Sequence, residues 1–193
     1  MKLAMLALLA LTGPALPSQV LPSQDIPTQI AETISPARPV TTHQAPHMLS
    51  KLVKDTPEEK IYSIVFYKDD EVLSGLTDFA IANHIADAHF TAIGAASGAT
   101  LAWLNLDRKL YQAIPVTQQV EVLALTGDIA LLNGKPVVHM HTILGKSDGS
   151  TVGGHVFALI TNPTVEAFLT ANTTPLNKRP DLPSGMKLID PAQ

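Results

Sequence analysis

Residues 136–161 read PVVHMHTILGKSDGSTVGGHVFALIT. The two flanks are β-branched and apolar, and the middle, Gly145-Lys146-Ser147-Asp148-Gly149-Ser150, is a cluster of turn formers. This is the pattern of two antiparallel strands joined by a short loop. Side chains two apart on a strand share a face, so His139 and His141 point the same way. Whether His155 joins them depends on register. Facing residues in a hairpin have a constant number sum, and an even sum, for instance 296 with His155 opposite His141, brings all three imidazoles to one face. A loop of odd length gives that parity. A two-residue turn at Asp148-Gly149, or a bulge at Gly153-Gly154, changes it.

Three neutral imidazoles without a thiolate suit zinc, copper, iron or nickel, and resemble an open site more than a closed structural one. The alternative is a set of half-buried strand histidines satisfied by backbone or by a neighbouring subunit. His89, on the strand-like Ala88-His89-Phe90, is a possible fourth member. Glu121, between Val120 and Val122, and Asp128, after Gly127, are accessory candidates, Asp128 as an acceptor for an imidazole N–H. His43, His47 and His84 read as linker or helix-surface residues. Ser97 lacks a nucleophile elbow.

Outward from this hairpin the pattern stays mostly strand. Residues 61–67 (IYSIVFY) read as a buried strand. Asp69-Asp70-Glu71 then place acids at a helix start, read as a solvated first turn, and Val72, Leu76, Phe79 and Ala80 recur at helical spacing to about residue 86. After it come strands at 88–95, ending in a turn region at 94–98, then 100–104 and 110–114, and 120–126, ending at Gly127-Asp128. Asn133-Gly134 is a hairpin turn signal. Asn162-Pro163-Thr164-Val165-Glu166 carries the signature of a helix start. The fold class is therefore α/β of the α+β type: a mostly antiparallel sheet with one main helix.

The ends differ from this domain, which spans 58–171. Residues 1–18 read as a signal peptide: Lys2, an apolar run over 3–11, then Gly13-Pro14-Ala15. The run is shorter than the roughly 20 residues a bilayer span needs, so no membrane span is expected once the leader is removed. Residues 19–57 are a Pro/Thr-rich linker or extended arm, and 172–193 a Pro-rich tail. The leader implies a periplasmic or secreted protein. The absence of cysteine excludes disulfides, thiolate metal sites and a thiol nucleophile. With 13 basic and 17 acidic residues the net charge is −4, only three of the basic residues are arginines, and none of this makes a phosphate-binding face.

Several motifs occur in order: Phe90-Thr91-Ala92-Ile93-Gly94-Ala95, Val120-Glu121-Val122-Leu123, Thr126-Gly127-Asp128-Ile129-Ala130, His139-Met140-His141, Asp148-Gly149 and Val152-Gly153-Gly154-His155. Together they resemble the plants-and-prokaryotes-conserved (PPC) domain. The resemblance implies an α/β domain with a mostly antiparallel sheet, a homotrimer, and a final strand over 165–169 in place of the helix start at Asn162. It also implies a divalent metal, zinc by preference, held by His139, His141 and His155. In plants the domain follows an AT-hook. This chain has no Arg-Gly-Arg-Pro core, so nucleic acid is not expected as a partner. The expected function is an exported trimeric module presenting a metal to a small anionic ligand. The alternatives are a metal-dependent hydrolase, with Glu121 or His89 carrying the proton, and the DNA binding that the family name suggests.

Overall fold

The structure, a computed structural model, describes residues 32–192. The leader over 1–18 and the first part of the arm lie outside the described residues. In chain order the elements are β1 (Thr33–Ile34), β2 (Leu49–Asp55), β3 (Glu59–Tyr67), α1 (Val72–Ala82), β4 (Asp87–Asn105), β5 (Leu110–Val116), β6 (Val120–Leu132), β7 (Lys135–Gly145), β8 (Thr151–Asn172), β9 (Lys178–Asp181) and β10 (Met186–Ile189).

Eight strands form one sheet in the order β1-β5-β4-β6-β7-β8-β3-β2, and β9 and β10 form a separate hairpin. All strand pairs are antiparallel. Because β4 also pairs with β8, the strands β4, β6, β7 and β8 close into a ring. One face of the ring is the core, with Phe66, Phe90, Leu101, Leu125, Ile129, Met140, Leu144 and Leu159 buried there. Helix α1 lies against β7 and β8 and contributes Val72, Leu76, Phe79 and Ala80. Each fully buried large apolar side chain stabilises the fold by about 1.5–3 kcal/mol.

Several boundaries differ from the sequence reading. The turn region expected at 94–98 is strand: β4 runs through it in 19 residues. Gly94 has φ 149°, and a Cβ there would collide with the Thr164 carbonyl, so this glycine marks a bulge where β8 crosses closely. β6 likewise continues past Gly127-Asp128 to Leu132. At Gly127 a Cβ would meet the His139 carbonyl and the Phe90 ring, so glycine serves close strand approach here and not a turn. The final strand expected over 165–169 does form, in place of the helix start at Asn162: β8 passes through as strand, paired to β3 from Thr164 to Asn172.

The acids before α1 are not a solvated first turn. Asp70 is fully buried and accepts the Tyr67 and His47 amides at 2.9 Å each. Glu71 is the N-cap residue. Its carboxylate accepts Leu73 N at 3.0 Å and Ser74 N at 2.6 Å, and also Leu159 N of β8 at 3.0 Å. Burial pushes the Glu71 pKa up, against the pull of these three amides.

The arm and the tail are both partly sheet. Within 32–57, β1 pairs with β5 and β2 with β3. Between them the chain crosses α1. His43 N donates to Asp78 Oδ2 (2.6 Å), Gln44 N to Ser74 Oγ (2.9 Å) and His47 N to Asp70 Oδ1 (2.9 Å). Ser74 and Asp78 are four apart, on successive turns of one side of α1, and Asp70 lies four residues before Ser74, just ahead of the helix N-cap. The tail folds back as the β9–β10 hairpin, tied to β6 by Leu131 N donating to Leu176 O at 2.8 Å. Periodicity signals are absent in these stretches because most of their side chains stay exposed, while their backbone pairs with the main sheet in the arm and within its own hairpin in the tail.

Candidate metal centre

On β7 the residues Val138, Met140, Thr142 and Leu144 turn into the core, which sends His139, His141 and Ile143 to the outer face. Pairing between β7 and β8 runs from His141 opposite His155 to Gly145 opposite Thr151, so paired numbers add to 296 throughout. The five-residue loop 146–150 sets this parity. It closes with Lys146 N to Ser150 O at 2.9 Å and Gly149 N to Lys146 O at 3.0 Å, and the Asp148 carboxylate accepts Ser150 N and Oγ. The even register therefore places all three imidazoles on the outer face.

Their ring centroids are 5.1 Å (His139–His141), 5.2 Å (His139–His155) and 5.4 Å (His141–His155) apart. One nitrogen from each lies within 4.8 Å of the others, so these three histidines can hold a metal ion. Nitrogens bound tetrahedrally to zinc at about 2.0–2.1 Å sit about 3.4 Å apart, inside that limit. The donor chemistry fits. His155 Nδ1 is buried without a hydrogen-bond partner, as expected of a nitrogen whose partner is an ion. Burial first, then the charges of His139, His141 and Lys178, lower the His155 pKa from 6.5 to about 3. The His141 pKa is lowered by burial and by His139, with Asp128 opposing. Both rings thus keep a free lone pair at neutral pH.

Supporting residues surround the three. Asp128, paired with His139 across β6 and β7, places Oδ2 3.1 Å from His139 Nδ1, and its Oδ1 accepts from Lys178 Nζ at 2.6 Å. Burial opposes the charge on Asp128, but the hydrogen bonds from His139 and Lys178 outweigh it and hold its carboxyl below the usual range. An ionised carboxylate can only accept, so His139 Nδ1 carries the proton and Nε2 is left for a metal. On the other side the Tyr111 ring stacks on His155 at 4.6 Å and 26°, and Phe157 meets His155 edge-on at 4.9 Å. These rings belong to a second apolar cluster with Ile34 and Ala102, on the outer face.

The other sequence candidates fall differently. His89 is exposed and pairs with Asp128 across β4 and β6, one strand further from the cluster than His139. At about 4.8 Å per strand step, its backbone is about 10 Å from that of His139. Glu121 stands at the start of β6, seven positions from Asp128, which is about 20 Å along a strand. It is not brought to the site, because face alternation alone says nothing about distance along a strand. No local motif marks Lys178, Tyr111 or Phe157 in the sequence. Lys178 is 50 residues from Asp128 and sits in a Pro-rich stretch without local pattern.

A family model described as the Plants and Prokaryotes Conserved (PCC) domain matches residues 54–173. No curated protein matches the chain. Among solved structures, a candidate DNA-binding protein from Bacteroides thetaiotaomicron is similar at 24% identity and TM-score 0.67, covering 73% of this chain and 96% of that one. A metal-containing protein from Archaeoglobus fulgidus is similar at 23% identity and TM-score 0.64, covering 74% and 98%. A plant- and prokaryote-conserved (PPC) protein from Pyrococcus horikoshii is similar at 23% identity and TM-score 0.65, covering 75% and 96%. At these identities the likeness is one of fold.

Proposed function

Because the chain belongs to the Plants and Prokaryotes Conserved domain family, we propose that it is an exported, trimeric binding module in which His139, His141 and His155 hold a divalent metal. The observation that carries the reading is the convergence of three imidazoles from paired strands, one with an orphaned buried nitrogen. Zinc is the ion of choice, since an all-nitrogen, thiolate-free set of three leaves a coordination position open. When bound, the metal supplies Lewis acidity at that position, suited to a small anionic ligand. The chain's own part is to orient the rings through Asp128 and Tyr111.

Export is supported by the leader-like composition of residues 1–18. Self-association is supported by Ile93, Leu123 and Ile143, 64%, 52% and 50% exposed on the adjoining strands β4, β6 and β7, because apolar patches of this kind mark interfaces. DNA binding gains no support from a net charge of −4. Hydrolysis needs a proton carrier at the metal, and the separations of Glu121 and His89 argue against either in that role.

The test is elemental analysis of the purified mature protein, beside His139→Ala and His155→Ala, with mass by light scattering. The expected result is one metal per chain and three chains per particle, with metal lost in both variants and the assembly kept. Metal-free native protein would end the metal reading, and a monomer would end the trimer.

A further inference from the structure

We propose that the C-terminal hairpin β9–β10 is a working part of the metal centre, with Lys178 positioning His139 through Asp128. The inference rests on the metal reading above and carries it to residues outside the family match at 54–173.

Side chains that this hairpin touches back two of the three histidines. On one side Lys178 Nζ donates to Asp128 Oδ1 at 2.6 Å, and Asp128 Oδ2 faces His139 Nδ1 at 3.1 Å. The Lys178 side chain is 3% exposed, so its ammonium has left water for this one carboxylate. A buried cation that loses its partner is strongly unfavourable, which makes the pair rigid in both directions. Bonds on both oxygens fix the plane of the carboxylate, and the carboxylate in turn fixes the tilt and tautomer of the His139 ring. On the other side the Tyr111 hydroxyl donates to Met186 Sδ of β10 at 3.8 Å, and the Tyr111 ring lies on His155.

The hairpin is small. β9 and β10 pair over four residues each, and a two-stranded ribbon of that size is not stable alone in water. Its order comes from the contacts just named, together with Leu176 and Asn177 against β6 and Lys109 Nζ donating to Leu182 O at 2.8 Å on its turn. Anything that orders the histidines must therefore order the hairpin, and by linkage the reverse holds equally.

The experiment uses the full mature chain, stripped with a chelator and reloaded with Zn²⁺ alone. Zinc affinity is read by chelator competition, and hydrogen exchange is followed over residues 178–189 with and without zinc. Zinc is expected to slow exchange in the hairpin severalfold. Lys178→Met is expected to weaken zinc binding about 10–100-fold, the usual effect of losing a partner behind a ligand, with Lys178→Arg restoring most of it. The sign separates positioning from plain charge, since removing a cation near a bound dication would by itself tighten binding. Unchanged or tighter binding in Lys178→Met, or hairpin exchange indifferent to zinc, overturns the inference and leaves the metal reading standing. Should Lys178→Met fail to fold, the exchange measurement on native protein decides alone. Native protein that takes up no zinc overturns both.

Discussion

Acid should destabilise the metal-free protein through His155, and the size of the effect follows from its surroundings. Burial and the neighbouring cationic groups lower its pKa from 6.5 to about 3. Between those values the unfolded chain carries a proton on residue 155 and the folded chain does not. The unfolded state then binds more protons, so stability falls as pH falls. Each pH unit inside the window is worth about 1.4 kcal/mol. From pH 6 to pH 4 the loss due to His155 is about 2 kcal/mol, a large share of the ~5–15 kcal/mol that holds a domain folded. The assay is urea denaturation of chelator-treated protein at pH 7, 6, 5 and 4, native beside His155→Phe. Phenylalanine keeps a ring against Tyr111, does not titrate, and removes the orphaned Nδ1. The variant should match or exceed native stability at pH 7 and lose less on acidification, since an unsatisfied buried polar atom costs about 1–3 kcal/mol. Glu71, whose pKa is raised, acts in the opposite sense at acid pH, but equally in both proteins. Parallel stability curves for the two proteins would refute the reasoning.

Asp128→Asn should leave the buried Lys178 ammonium unpaired and destabilise the fold by about 3–5 kcal/mol in thermal or urea melts; adding Lys178→Met should recover most of that. Glu71→Ala strips the acceptor from three amides, two of α1 and one of β8. A lost helix cap of about 1 kcal/mol plus an orphaned buried amide of about 1–3 kcal/mol gives about 2–4 kcal/mol, read as a lower urea midpoint. Gly94→Ala forces a methyl onto the Thr164 carbonyl at φ 149° and should cost more than about 2 kcal/mol by the same measurement, whereas Gly149→Ala, in open space, should cost less.

The sheet and the shared face of His139 and His141 were legible because period-two alternation is local; the loop length that brings His155 to that face was not, since the turn formers at 145–150 allow either parity. The glycines misled for a definite reason. Gly94 and Gly127 look like turn residues in one dimension, but each exists to let another strand pass close. Asp70 looks solvated in sequence because its partners, the amides of Tyr67 and His47, carry no side-chain signature. Lys178 and Tyr111 were illegible for a third reason. Their role depends on chain returns across tens of residues, which no window of sequence contains.

The seat that α1 offers the arm has an evolutionary corollary. Asp70, Ser74 and Asp78 grip amide hydrogens, which every residue but one possesses, so the contact itself does not depend on the side chains at 43, 44 and 47, although the φ of 63° at His43 disfavours β-branched residues there. The exception is proline. In a stretch punctuated by prolines at 36, 39 and 46, none falls on the three donors, and a single proline at any of them would unfasten the arm where many bolder replacements would leave it in place.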